Sequence, residues 1–147
     1  MSDDEAKQRR KIQASQKREQ AKRLEGERTT MQSKKKELED KIEKLEKAKQ
    51  GVTTALSSLS GFSSGLSSLK SSGGGSFKGD RKDEYVDELE TATSKLSKYE
   101  SSHKENKTKI EEKLKNLKED QQRLSMSIGA LDVRIGSLYS AAAQLDC

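Results

Sequence analysis

Apolar residues recur at every seventh position along two long stretches of the chain. The column in the first arm is Leu24, Met31, Leu38, Leu45, Val52, Leu59 and Leu66. The column in the second arm is Leu89, Leu96, His103, Ile110, Leu117, Leu124, Leu131, Leu138 and Leu145. A seven-residue repeat is typical of helices that pack along a narrow seam. The pattern therefore predicts two long amphipathic helices.

A second column lies beside each of these. It contains Ala21, Ile42 and Leu56 in the first arm, and Val86, Leu114, Ile128, Ile135 and Ala142 in the second. The first arm breaks its second column with Arg28, Lys35 and Lys49, so part of that seam is predicted to be charged. Two columns per helix are the a and d positions of a coiled coil.

A segment rich in glycine and serine, residues 70–80, separates the two arms and predicts a bend. Within it, Phe77, Lys78 and Gly79 form a candidate bend motif, in which the aromatic ring plugs the end of the helix pair and the glycine permits the turn; a stray apolar residue in a loop is the alternative. The serine-rich stretch 57–68 before it predicts fraying or bending.

These elements predict an all-α fold, an elongated antiparallel two-helix hairpin of the coiled-coil type. Residues 1–23 form the basic polar part of helix 1, residues 24–69 its heptad part, residues 70–80 the bend, and residues 81–147 helix 2. A fold-back at about Gly75 aligns residues whose numbers sum to about 150, which places Leu45 near residue 105 and Leu24 near residue 126.

This alignment sets residues 1–23, where Ile12 is the only large aliphatic side chain, against residues 124–145, the most apolar part of the chain. The hairpin cannot cover that segment alone, and an uncovered apolar face on a polar chain indicates an interaction site. The predicted partner-binding residues are Leu124, Ile128, Leu131, Ile135, Leu138 and Leu145. Partner helices are expected to complete a bundle around them.

Composition supports elongated helices over a globular core, because only 29% of the 147 residues are hydrophobic and 37% are charged, with no proline or tryptophan. The net charge of +5 belongs to residues 1–50. A basic arm for nucleic acid or an anionic membrane is thus a weaker alternative. It would use Lys7, Arg9, Arg10, Lys11, Lys17, Arg18, Lys22 and Arg23. Acidic residues interleave with these, which is typical of a solvated helix face and disfavours nucleic acid.

The chain offers little chemistry for catalysis. It has one histidine, His103, which falls on the seam, and one cysteine, Cys147. We predict no catalytic residues, no metal site and no cofactor, and therefore a non-enzymatic protein. The chain shows neither a classical signal peptide nor a transmembrane segment, which predicts a cytoplasmic protein or one exported by another route.

Several of these features together resemble the YwqH-like proteins. They are the LEKAK stretch at residues 45–49, the leucine- and serine-rich run, the aromatic-x-Gly of Phe77 and Gly79, and the DEYVDEL opening at residues 83–89. These small helical proteins accompany LXG polymorphic toxins of type VII secretion systems in Gram-positive bacteria, and are similar in style to Trp-X-Gly helical hairpins. Phe77 stands where that style has tryptophan.

The resemblance implies a chaperone-like targeting adaptor that binds the N-terminal helices of an LXG-domain toxin, stays cytoplasmic before export, and is co-secreted or retained. Type VII substrates carry Tyr or Phe followed four residues later by an acid. No Tyr or Phe here has that spacing, so a second small helical partner or the toxin must supply the signal. A self-associating structural coiled coil is the alternative function.

Overall fold

The computed structural model describes residues 2–72 and 79–147, and the described chain is almost entirely helical. Helix α1 spans Asp3–Ser72 and helix α2 spans Asp80–Leu145. The two helices pack against each other, so the all-α helical hairpin is confirmed. Phe77 and Lys78 of the candidate bend motif lie outside the described residues, as does Gly75.

The hairpin divides into two compact units. The first unit comprises Met1–Ile42 and Asn116–Cys147, and the second comprises Glu43–Lys115. Within the first unit, Arg18 pairs with Asp146, and Arg28 pairs with Asp132 at 2.7 Å, across the two helices. Within the second, Lys49 pairs with Glu111 at 3.7 Å and Lys70 with Glu90 at 3.6 Å. In both units, therefore, α1 and α2 run antiparallel.

The heptad columns lie on the seam, as the sequence predicts. Every member of the column from Leu24 to Leu66 is buried or partly buried, and so is every member of the column from Leu89 to Leu145. The most buried side chains of the second unit, Leu89 and Leu114, are 8% and 5% exposed. Arg28, Lys35 and Lys49 are partly buried on the same seam. Each helix thus buries one stripe.

The predicted alignment is wrong. Residues paired across the helices have numbers that sum to 160 in the Arg28–Asp132 and Lys49–Glu111 pairs, rather than to about 150. Consequently Leu24 lies against Ile135 instead of near residue 126, and Leu45 is level with about residue 115 instead of 105. The apolar segment 124–145 therefore faces residues from about 15 to 36, so only its last part lies opposite the basic polar residues 1–23.

Local signals at the helix starts agree with the structure. The Glu5 backbone N–H donates to Ser2 Oγ at 3.3 Å, so Ser2 caps α1. The expected fraying of the serine-rich stretch is not observed, because α1 continues as a helix to Ser72. Leu59 and Leu66 are partly buried on the seam there, and such packing outweighs the low helix propensity of serine and glycine.

Gly79 precedes α2 with a φ of +89°, in the left-handed region that favours glycine. We expect Gly79→Ala to lower the free energy of unfolding by about 1–2 kcal/mol, because a Cβ is strained at this φ. Gly65→Ala is the matched control: Gly65 is an exposed helical residue with open space where a Cβ would lie, and alanine should stabilise the helix by about 0.5–1 kcal/mol. Urea titrations that show equal stability for both variants would contradict this assignment.

Candidate partner-binding surface

The predicted partner-binding residues lie on the seam of the first unit, where α1 already covers part of them. Ala21, Leu24 and Ile135 form a buried cluster, with Leu131, Leu138 and Tyr139 packed against it. Ile135 is only 5% exposed. The other five predicted residues are partly buried: Leu124, Ile128, Leu131, Leu138 and Leu145. The hairpin uses these side chains for its own packing, and their role in partner binding stays a prediction.

The back of α2, opposite the seam, presents apolar side chains that α1 does not cover. Met126 is 70% exposed and Val133, one heptad later, is 72% exposed. Between residues 121 and 145 the only charged residues are Arg123, Asp132 and Arg134. In a chain with 37% charged residues, about nine would be expected over this length. Low charge combined with uncovered apolar side chains on an otherwise charged chain indicates a surface for contact with another protein.

One flank of the seam in the first unit is closed by polar contacts. Arg18 forms an ion pair with Asp146, and Arg28 forms one with Asp132. Tyr139, on the same side of α2, interacts with Glu25, which raises the pKa of its phenol. Arg18 and Glu25 occupy e positions of the heptad in α1, and Asp132, Tyr139 and Asp146 occupy e positions in α2. In antiparallel helices the e positions of the two helices face each other. We call this side the closed flank.

The other side of the seam, which we call the open flank, is a groove between the two helices. Its walls are Gln13, Gln16, Lys17 and Gln20 from α1, and Ala141, Gln144 and Leu145 from α2. Ala141 and Leu145 are partly buried and supply an apolar floor, whereas the four glutamines are exposed. No ion pair crosses this groove among its described lining residues. The first unit therefore has one closed flank and one open flank.

Contacts with Glu25 raise the pKa of Tyr139 above its usual value of 10.0. The hydrogen bond to the Glu25 carboxylate is the main cause, followed by partial burial and by the negative charge of Glu25, while Arg28 opposes the shift. A raised pKa means that the folded state prefers the neutral phenol. This contribution to stability is fully present below about pH 10 and is lost as the pH rises through the raised pKa.

We therefore expect the free energy of unfolding to fall more steeply above pH 10 in the wild-type chain than in the Tyr139→Phe variant. Glu25→Gln should flatten the profile in the same way, because it removes the carboxylate that disfavours the phenolate. Urea titrations at a series of alkaline pH values measure the difference. Parallel loss of stability in the wild-type and Tyr139→Phe chains would show that this contact does not contribute.

The structure also locates the other residues that the sequence analysis singled out: the seam histidine, the bend glycine and the basic residues of the N-terminal arm. His103 is partly buried on the seam of the second unit, where its Nδ1 lies 3.0 Å from the Tyr99 carbonyl oxygen. Its ring contacts the Tyr99 ring with 4.4 Å between the centroids and a tilt of 41°. Gly79 of the bend motif adopts the left-handed conformation. Among the eight basic residues of the N-terminal arm, Arg18 is the one that pairs with a carboxylate in the described part of the chain.

Within the described residues, no group of three or more histidine, cysteine or acidic side chains is arranged to hold a metal ion. The same part of the chain contains no helix that is both long and apolar enough to cross a membrane. No known protein-family model matches the chain, and no characterised protein matches it in sequence. The similarity to YwqH-like proteins therefore stays a prediction.

Proposed function

We propose that this protein is a non-enzymatic, chaperone-like adaptor that binds the helical N-terminal LXG domain of a type VII-secreted toxin and promotes its stability or export. The observation that supports this proposal is the segment of α2 from residue 121 to residue 145, which we call the uncharged end because it carries only three charged residues. Its seam is only partly covered by α1, and its back exposes Met126 and Val133. Apolar surface left open on an otherwise charged chain favours a protein partner.

The size of this surface indicates how a partner must bind. Covering Met126 and Val133 yields about 1.5–3 kcal/mol for each side chain, or roughly 5 kcal/mol together. A micromolar complex requires about 8 kcal/mol after the costs of association. The partner must therefore also cover the exposed edges of the partly buried Leu124, Ile128 and Leu131, which implies more than one partner helix around α2.

Co-expression tests the proposal directly. The full chain, tagged, is co-expressed with the N-terminal LXG domain of a candidate toxin, and separately with an unrelated helical domain of similar length. We expect a stable stoichiometric complex with the LXG domain and none with the unrelated helical domain. Failure of the two chains to co-elute in size-exclusion chromatography would contradict the adaptor function.

The competing function, a self-associating structural coiled coil, uses the same exposed α2 surface. Light scattering on the purified chain separates the two proposals. The adaptor predicts a monomer, or a weak oligomer that the LXG domain dissociates. A homo-oligomer that persists in the presence of the LXG domain would favour the structural alternative.

A further inference from the structure

The open flank of the first unit is a place where a third helix fits. The closed flank is occupied by the Arg18–Asp146 and Arg28–Asp132 ion pairs, so a helix approaching there would have to displace charged contacts. On the open flank the groove already has walls from both helices. Its α1 wall consists of residues at i, i+3, i+4 and i+7, the spacing that a packed helix contacts.

The charge of the open flank identifies the kind of helix that fits it. From residue 6 to residue 24, the α1 positions on this side of the seam carry four cations and no acid. The cations are Arg9, Arg10, Lys17 and Arg23. None of the four has a carboxylate partner in the part of the chain that the structure describes. Opposite charges around a contact favour association and select among partners.

The lining of the groove distinguishes a helix from a polyanion. Ala141 and Leu145 form an apolar floor, and Gln16 and Gln144 stand beside it as neutral hydrogen-bonding groups. An amphipathic helix satisfies both features, because its apolar stripe covers the floor while its flanking side chains meet the amides and cations. A nucleic-acid backbone would use the cations and leave the apolar floor uncovered.

We propose that the open flank of the first unit receives one acidic amphipathic helix of the partner, with its apolar stripe on Ala141 and Leu145 and its carboxylates beside Lys17 and the neighbouring arginines. The identity of the partner in this inference rests on the proposed function. The chemistry of the helix that binds is inferred from the groove alone. One helix in this groove and others along the back of α2 would complete a bundle around the uncharged end of α2.

Two synthetic leucine-striped helices of about 20 residues, long enough to follow the groove, test the chemistry. One carries glutamate beside its apolar stripe and the other carries lysine. We expect the glutamate peptide to bind the full-length protein at least about tenfold more tightly than the lysine peptide in fluorescence anisotropy. Equal binding of the two peptides, or binding of neither, would overturn the inference. Duplex DNA that competes as well as the glutamate peptide would also overturn it, in favour of a polyanion site.

Two pairs of substitutions locate the site. Gln20→Trp fills the groove from an exposed position, and we expect it to weaken binding of the glutamate peptide by about tenfold or more. Gln32→Trp makes the same change at an exposed α1 position on the closed flank and should leave affinity within about twofold. Lys17→Glu should weaken binding several-fold, whereas Lys36→Glu, at an exposed α1 position on the closed-flank side, should not. Equal effects of Gln20→Trp and Gln32→Trp would place the helix elsewhere.

The same variants separate this inference from the proposed function. If the LXG domain binds and Gln20→Trp leaves that binding unchanged, the open flank is not the site, while the adaptor function stands. If the glutamate peptide binds at the open flank and the LXG domain does not bind, the site stands and the adaptor function fails. Circular dichroism of each variant confirms that the hairpin remains folded.

Discussion

Replacement of Ile135 by glutamate should strongly destabilise the first unit. Ile135 is 5% exposed and lies in the cluster with Ala21 and Leu24. The change removes about 1.5–3 kcal/mol of apolar burial and forces a carboxylate against apolar side chains. Together these costs amount to about 3–5 kcal/mol, a large share of the stability of an ordinary small protein. Urea titration followed by far-UV circular dichroism measures the loss.

Val133→Glu, only two residues away on α2, is the matched control. Val133 is 72% exposed on the back of the helix, so glutamate stays solvated there and has the better helix propensity. We expect its stability to remain within about 0.5 kcal/mol of the wild type. A large loss from Val133→Glu, or a negligible one from Ile135→Glu, would contradict this orientation of α2.

The double variant Met126→Glu with Val133→Glu should lose partner binding by about a hundredfold or more without loss of stability. Each change replaces an exposed apolar side chain, worth about 1.5–3 kcal/mol when covered, by a charge that the partner would have to desolvate. Calorimetric titration with the LXG domain gives the affinity, and thermal unfolding gives the stability of the free chain.

Phe62→Glu serves as the control for this experiment. Phe62 is a 63% exposed apolar residue of the second unit, so the change in hydrophobicity and charge is similar but lies away from the uncharged end of α2. Its affinity should match the wild type. The variants Leu131→Glu and Leu138→Glu are less informative, because both residues pack on the buried cluster and their loss would disrupt the hairpin itself.

The fold was predictable because the seven-residue repeat alone specifies which side of each helix is buried. Both columns of α2 fall on the seam without an exposed member, including the polar positions His103 and Lys107. Helix 2 was predicted to begin at residue 81, one residue after its observed start at Asp80, because glycine and serine precede it and Asp80, Asp83 and Glu84 lie in its first two turns. Long helices with one apolar stripe leave few alternatives to pairing.

The alignment of the helices was not predictable from that repeat, because a shift of one heptad keeps the same columns in contact. The observed sum of 160 differs from the predicted value of about 150 by roughly one such shift. Charges distinguish the two alignments. The observed one places Arg28 beside Asp132 and Lys49 beside Glu111. The predicted one would place them opposite the neutral residues Gln122 and Ser101, without either ion pair.

The accessible surfaces were only partly predictable. The sequence indicated that residues 124–145 need a partner, but it selected seam residues such as Ile135, which α1 already covers. Met126 and Val133 belong to the same apolar stretch, and their seven-residue spacing outside both seam columns was the available signal. The open flank depends on which charged side chains close the other side, which requires three-dimensional geometry.

Oxidation of Met126 by dilute hydrogen peroxide, with and without the LXG domain, tests the central claim most directly. The Met126 thioether is 70% exposed in the free hairpin and should react readily, whereas Met31 is partly buried on the seam and should react more slowly. We predict that the complex slows sulfoxide formation at Met126 by about tenfold or more and leaves Met31 unchanged. An unchanged Met126 rate in a fully formed complex would mean that no partner helix covers the back of α2.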